Sequence, residues 1–404
     1  MHQPAFRKTV PPKEVAETAP EFSLVLGGPL YQLYLRTRLA KPPIDLVRRR
    51  IIALSLICWL PLLLLTLFAG TALGGVKVPF LLDIGAHVRF LCALPLLIVA
   101  ELIVQRRIPG IVRRFFDRNI IALGDRARLE ELIRSVMRLR NSALIEIVLI
   151  VLAFSGFWMW REYPTLGGST WYVVETSGKM HFTLAGQWYV LVSLPLLRFI
   201  LFRWYFRMAL WYWFLWSVQR FKLHLNFLHP DLAGGIGFLS GSTTAFSPFL
   251  VAQTVIVAGI IFDEIRYAGM TLLAFKMEIA AILLFLILVV FTPLCFFMVQ
   301  LSQAGRTAKG NYGTLASQYV DDFWDKWITK QGTGIEKQVL GTADIQSLAD
   351  LANSYSMVSK MRIVPFGKGT VTRVAILTCL PLLPLTLTMI PLDQVIDRLA
   401  KFVL

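Results

Sequence analysis

The chain has 404 residues, of which 56% are hydrophobic and only 16% are charged, and its formal net charge is +16. Several apolar runs of about 20 residues are long enough to cross a hydrocarbon core roughly 30 Å thick. This composition excludes a soluble globular protein. Because membrane topology can account for the positive charge, we expect no nucleic-acid partner.

Residues 1–47 are predicted to form a cytoplasmic N-terminal tail that is retained. The first apolar run begins only at Ile51, behind a segment rich in proline and charge, which is unlike a cleaved signal peptide. Within the tail, leucines and arginines between Leu30 and Leu39 predict a short interfacial helix.

The predicted fold class is an all-α integral membrane protein with six to seven transmembrane helices and amphipathic cytoplasmic helices. Residues 374–404 are predicted to be a seventh span or a re-entrant segment, plus a short C-terminal helix, because Pro381 and Pro384 interrupt the helical hydrogen bonds. Residues 48–301 are predicted to form a six-helix transmembrane region with spans at about 51–73, 87–104, 143–160, 188–207, 244–262 and 278–301.

Lysine and arginine counts in the loops predict the orientation of the chain. Residues 1–50 hold nine of them and residues 106–141 hold ten, whereas the alternate loops at 74–86, 161–187 and 263–277 hold five in total. We therefore expect a cytoplasmic N-terminus.

Apolar residues at helical spacing predict amphipathic helices on the cytoplasmic side, at about 125–140, 313–328 and 344–361. The last two belong to residues 302–373, which we expect to form a cytoplasmic helical hairpin. These apolar faces either pack on one another or remain open to a partner.

One apolar helix carries Arg198, Arg203 and Arg207, and ten of the eighteen residues from 199 to 216 are aromatic. A charged side chain near the bilayer centre costs about 2.5 to 3.5 kcal/mol on insertion scales, so these arginines need a partner, a cavity or a headgroup. In a structural interpretation, Arg203 and Arg207 reach lipid headgroups and Arg198 pairs with a carboxylate of another span. The candidate carboxylates are Glu101, Glu146 and Glu278.

In a functional interpretation, the same arginines line a path or pocket for an anionic solute or lipid headgroup. A guanidinium can bind phosphate in a fork and stack on an aromatic ring, here Trp204 or Trp211.

The loop after this helix contains a proline and three glycines where the chain changes direction. Its backbone amides could hold a phosphate or carboxylate, although a tight turn explains the same residues. The candidate binding residues of this loop are His229, Asp231, Gly234, Gly235 and Gly237.

No motif in the sequence indicates a catalytic residue, a metal site or a cofactor. The four cysteines lie in apolar segments and have no metal-ligand spacing, and the run Gly367-Lys368-Gly369-Thr370 lacks the upstream glycine of a phosphate-binding Walker loop. Nothing in the sequence argues for an enzyme.

Two segments, His229–Leu239 and Gly341–Ser354, resemble stretches of bacterial multi-pass inner-membrane proteins to which no activity is attached. The resemblance implies a bacterial inner-membrane location and adds no site residue.

We expect the protein to bind, and to be able to move, an anionic solute or lipid headgroup at its cytoplasmic half. The alternative is a scaffold or sensor that transports nothing and docks a cytoplasmic partner. Expected partners are therefore anionic membrane lipids, a cytoplasmic protein or a second copy of the chain.

Overall fold

The computed structural model of the chain describes residues 21–39, 46–160, 169–176, 179–329 and 343–389. Over these residues the fold is an all-α integral membrane protein, as predicted. In chain order, its elements are α1 Pro29–Arg36, α2 Val47–Phe68, α3 Ile84–Asp117, α4 Arg126–Arg140, α5 Ala143–Trp160, β1 Val173–Thr176, β2 Lys179–Phe182, α6 Leu184–Val218, α7 Gly237–Ala268, α8 Leu272–Cys295, α9 Met298–Trp324, α10 Ala343–Ser359 and α11 Lys368–Met389.

Six helices in the described part of the chain are long and apolar enough to cross a membrane, namely α2, α3, α6, α7, α8 and α11. Helix α5 adds a further apolar helix of 18 residues. The prediction of six to seven transmembrane helices is therefore confirmed. Helix α11 changes from α-helical to 3-10 geometry at Leu380, where the prolines begin. Residues 390–404, including the predicted C-terminal helix, lie outside the described residues.

We call the end of the bundle at which α2, α7 and α11 begin the basic face, because it adjoins the arginine-rich residues 106–141. The other end is the opposite face. The predicted cytoplasmic loops all belong to the basic face. These two names distinguish the two ends of the bundle and do not state which end faces the cytoplasm.

Helices α3 and α6 share a local distortion near their starts. Residues Val88–Ala93 and Tyr189–Ser193 are π-helical, and each stretch is followed by Leu-Pro. Proline has no N–H and its ring clashes with the carbonyl four residues earlier, so the wider turn lets each helix continue. The same pattern, Leu-x-x-Leu-Pro-Leu-Leu, occupies residues 91–97 and 191–197.

Helix α7 packs against α3, α8 and α11. Gly259 permits the contact with α3, since a Cβ there would lie 3.0 Å from the Cα of Gly85 and 2.4 Å from Val88 Cγ2. Phe249 of α7 stacks on Trp204 of α6, with 5.7 Å between ring centroids. Apolar packing therefore holds α3, α6 and α7 together.

The aromatic helix α6 ends at Val218. Helix α4 contacts α6 and buries Leu129, Ile133 and Val136, the centre of its predicted apolar stripe. The centre of the apolar face of α4 is thus buried within the chain.

A β-hairpin on the opposite face was not expected from the sequence. Strands β1 and β2 pair antiparallel, with Val173 opposite Phe182 and Thr176 opposite Lys179. The neighbouring Trp171 is fully buried, and its Nε1 donates a hydrogen bond of 2.8 Å to Asp83 Oδ2. The hairpin is therefore tied to the start of α3.

Helices α9 and α10 pack together beyond the basic face. Asp344 joins them, accepting hydrogen bonds from Lys326 Nζ at 2.5 Å and Trp327 Nε1 at 3.0 Å. These two hydrogen bonds hold the pKa of Asp344 below its usual range. Residues 330–342, which connect the two helices of the predicted hairpin, lie outside the described residues.

Candidate functional site

The structure buries two of the three candidate arginines of α6 and pairs both with carboxylates. Arg207 Nη2 lies 2.8 Å from Glu101 Oε1, and the other oxygen of Glu101 lies 2.7 Å from Nη1 of Arg50. Arg203 Nη2 lies 3.3 Å from Glu146 Oε1. These side chains therefore do not extend to headgroups, and their charge is directed at other helices.

This cluster holds more positive than negative charge. Three guanidinium groups, of Arg50, Arg203 and Arg207, face the two carboxylates of Glu101 and Glu146. Arg50 is 1% exposed, and its Nε and Nη2 have no hydrogen-bond partner among the described residues. One positive charge is left over if all five groups are ionised.

A fourth arginine, Arg140 at the end of α4, lies close to the same cluster. Burial first, and then repulsion from Arg207, lowers the pKa of Arg140 to about 10. Its Nη1 donates a hydrogen bond of 2.6 Å to the carbonyl of Ser23.

The cluster also attaches the segment that leads into α1. Glu146 Oε2 accepts a hydrogen bond of 2.9 Å from the amide of Leu30, and Asn141 Oδ1 accepts one of 3.0 Å from the amide of Gly28. A carboxylate at a helix N-terminus is stabilising because it meets unpaired N–H groups. The charged cluster therefore joins α1 to the bundle.

The other predicted residues of the bundle are placed separately. Arg198 is half-buried and forms no ion pair within the described ranges, while Glu278 is exposed on α8 and likewise unpaired there. Trp204 lies under Arg207, with 4.9 Å from its ring centroid to the guanidinium carbon. Trp211 stacks instead on Phe214. Of the two tryptophans considered, Trp204 therefore forms the cation–π contact with an arginine of α6.

In the loop after α6, the backbone amides are taken up by the loop's own carboxylate. Asp231 accepts hydrogen bonds from the amides of Ala233 at 2.8 Å, Gly235 at 3.1 Å and Gly237 at 2.8 Å. Partial burial raises its pKa, but these three amides and then His229 outweigh that effect and hold the pKa of Asp231 below its usual range.

This arrangement requires the glycines. Gly234 and Gly235 have φ values of 65° and 92°, in the left-handed region that favours glycine. A Cβ on Gly237 would lie 2.9 Å from Asp231 Oδ2. The loop therefore resembles an anion-binding loop whose occupant is Asp231.

The chain beyond α10 fixes the loop in place. Arg362 Nη2 donates a hydrogen bond of 2.7 Å to the carbonyl of Asp231, and its amide donates one of 2.7 Å to the carbonyl of Leu232. From α3, Arg118 donates to the carbonyl of Gly235 at 3.1 Å. Sequence analysis did not identify Arg118 or Arg362.

A cavity of about 480 Å³ opens beside this loop at the basic face. Two arginines line it, Arg362 and Arg373. Further lining comes from three hydroxyl side chains, Ser240, Thr244 and Thr370. Among the residues that the structure describes, the one carboxylate in the lining is that of Asp231, whose oxygens already accept the three amide hydrogen bonds.

The N-terminus of α11 also borders the cavity. Gly367 precedes the helix, no side chain caps it, and Gly367, Gly369 and Thr370 all line the cavity. The first amides of a helix carry a partial positive charge and bind anions. The glycine-containing run at residues 367–370 has no Walker pattern, but it borders this cavity and contributes helix N-terminal amides to it.

Chemically, the cavity offers two guanidinium groups, the hydroxyl of Thr370 and the first backbone N–H groups of α11, whereas the hydroxyls of Ser240 and Thr244 already donate to the carbonyls of Gly237 and Gly241. These are the donors that proteins use for phosphate and carboxylate ligands.

Comparison with known proteins finds no matching family model, no curated relative and no similar solved structure.

Proposed function

We propose that this multi-pass membrane protein binds a phosphate-bearing anion, either a lipid headgroup or a free solute, in the cavity at its basic face. The observation that carries the proposal is that Arg362 and Arg373 line one cavity in which Asp231, already hydrogen bonded by three amides, is the one carboxylate among the described lining residues. Asp231 keeps its negative charge, but the two guanidinium groups outnumber it, so the lining has a net positive charge that would attract an anion.

In this proposal the anion is bound by the arginines of the cavity, and not by the arginines of α6 that the sequence suggested. Arg203 and Arg207 are neutralised by Glu146 and Glu101, so we assign them to holding the bundle together. The glycine loop contributes by presenting Arg362, which its carbonyl at Asp231 orients, rather than by offering free amides.

The positive charge of the loops supports a cytoplasmic position for the basic face, because arginine and lysine are retained on that side. The cavity would then open towards the cytoplasm, at the level where lipid headgroups lie. Together with the resemblance to bacterial inner-membrane proteins, this supports a bacterial inner-membrane location with the N-terminus inside.

Native mass spectrometry of the delipidated protein tests the proposal. We expect an anionic phospholipid to bind more tightly than a zwitterionic one, and Arg373→Gln to weaken that binding about tenfold, the loss of one charge-assisted contact. Arg306→Gln is the matched control, since it removes an arginine on α9 outside the cavity.

Inorganic phosphate provides the second arm of that experiment. Competition by millimolar phosphate indicates a free anion, and its failure to compete indicates a headgroup held partly through its lipid. Equal binding of both phospholipids by the wild type and Arg373→Gln, with no phosphate binding, would overturn the proposal.

A second candidate function, a scaffold that docks a cytoplasmic partner or another copy, is favoured by the α9 and α10 pair. Leu315, Val320, Trp324 and Ile345 on these helices are each about half exposed. Monomeric proteins seldom expose many large apolar side chains together. Recovery of a stoichiometric partner that is lost in Trp324→Ser, with no anion binding by the purified protein, would favour this function.

A further inference from the structure

Two aspartates meet at the opposite face, far from the anion cavity. Asp83 precedes α3 and is 6% exposed; its Oδ1 accepts a hydrogen bond from the amide of Ala86 at 2.7 Å. Asp263, near the end of α7, accepts one from the amide of Gly85 at 3.0 Å through Oδ2. The two carboxyl groups lie within hydrogen-bonding reach of each other.

Backbone packing enforces this proximity. A Cβ on Gly85 would lie 2.1 Å from Asp263 Oδ2 and 3.4 Å from Asp83 Oδ1, so only a glycine leaves room for both carboxyl groups. Gly259 brings α7 against the same turn. The close packing of α7 on this turn therefore places the two aspartates side by side.

Within the described ranges, the groups that face the pair leave one negative charge uncompensated. Arg89 is the cation that interacts with both carboxylates, and it donates a hydrogen bond of 2.5 Å to Tyr189 Oη. The other facing groups are neutral donors or phenols, namely Trp171, Tyr172, Tyr189 and Tyr267, with Arg266 beyond Tyr267. Two carboxylates and one guanidinium sum to a single negative charge.

A proton removes this excess charge and supplies the missing donor. Two carboxyl groups can form a hydrogen bond to each other only when one of them is protonated, and closely placed carboxylates resist ionising together. Asp263 Oδ1 is buried and has no hydrogen-bond partner in the described part of the chain. That oxygen could carry the proton.

We propose that Asp83 and Asp263 form a proton-binding site in which one shared proton links α3 to α7. Release of the proton to water at the opposite face leaves two carboxylates in repulsion at this junction. The site thus makes the packing of α3 against α7 sensitive to pH. It is independent of the anion cavity.

Infrared spectroscopy of the protein in lipid nanodiscs tests this proposal across a pH titration. We expect the wild type to show a protonated-carboxyl C=O band that is lost as the pH rises, and Asp263→Asn to lack it. Glu278→Gln, which removes an exposed carboxylate near the same face, should keep the band. A band that persists in both Asp263→Asn and Asp83→Asn, or is missing from the wild type, would overturn the proposal.

Thermal unfolding at several pH values gives a second readout. The proposed proton stabilises the contact of α3 with α7 only while it is bound, so we expect the unfolding temperature to fall as the pH rises and the two carboxylates come to repel each other. Asp263→Asn keeps an acceptor for Gly85 and gains a donor for Asp83, so we expect it to fold and to lose this alkaline destabilisation. An unchanged alkaline profile in Asp263→Asn would count against the proposal.

Discussion

Arg207 of α6 and Glu101 of α3 form an ion pair of 2.8 Å in which the side chains are 4% and 9% exposed. The same carboxylate binds Arg50 of α2, so one residue holds three helices. Buried charges are tolerated only when they are paired and hydrogen bonded. Glu101 is therefore the residue on which the charged cluster most depends.

Replacing Glu101 tests this dependence. Glu101→Gln keeps the side-chain volume but leaves Arg50 and Arg207 as uncompensated buried cations, which should destabilise the protein by about 3 to 5 kcal/mol. Reversible unfolding in mixed micelles measures the effect, and the exposed Glu278→Gln serves as the control. A change below about 0.5 kcal/mol for Glu101→Gln would contradict the structural role of the cluster.

The contact of α7 with α3 predicts a difference between two glycine substitutions. In Gly259→Ala, the new methyl group would lie 2.4 Å from Val88 Cγ2, and such overpacking should cost about 1 to 3 kcal/mol. In Gly110→Ala, no atom lies within 4 Å of the new Cβ, so the gain in helix propensity should stabilise by about 0.5 to 1 kcal/mol. Equal unfolding temperatures for the two variants would argue against the close packing at Gly259.

Asp231 predicts a pH dependence of opposite sign to that of the aspartate pair. Its folded pKa is depressed, so the stability it contributes is fully present above its ordinary pKa near 4 and is lost as the pH falls through the lower folded pKa. Asp231→Ala leaves three loop amides without their acceptor and should cost about 2 to 3 kcal/mol. Hydrogen exchange at Ala233, Gly235 and Gly237 measures the loosening directly, and unchanged protection would refute the assignment.

The orientation of the chain can be tested with single cysteines in a variant whose four native cysteines are replaced by alanine. Leu123→Cys lies on the basic face and Leu273→Cys on the opposite face, and both leucines are well exposed. With a cytoplasmic basic face, an impermeant maleimide should label Leu123→Cys in inverted vesicles and Leu273→Cys in right-side-out vesicles. The reverse pattern would place the N-terminus outside.

Sequence alone predicts the helical membrane fold well, because span length, hydropathy and the apolar stripe of α4 are local properties. It also identifies Glu101 and Glu146 as carboxylates that pair with an arginine of α6, but it assigns that pairing to Arg198 and places Arg203 and Arg207 at headgroups, which the structure contradicts. Which carboxylate meets which arginine depends on the rotation and depth of whole helices, and these are set by contacts such as Gly259 with Gly85. For the same reason the β-hairpin on the opposite face was missed.

The cavity could not be predicted because its parts are distant in the sequence. Arg362 reaches the carbonyl of Asp231 across 131 positions, and no local pattern records that contact. The clue that was available is the pair of basic residues, Lys368 and Arg373, at the start of the last apolar helix. The hydrogen bonds from the loop amides to Asp231 were also not predictable, because they require the left-handed backbone at Gly234 and Gly235.

A structure of the wild-type protein and of Arg373→Gln, determined in nanodiscs containing anionic phospholipid, tests anion binding most directly. We predict a phosphate-shaped density between Arg362 and Arg373 at the start of α11 in the wild type, and its loss in the variant with the loop at Asp231 unchanged. A wild-type cavity that holds only water in the presence of saturating anionic lipid and phosphate would contradict the proposed function.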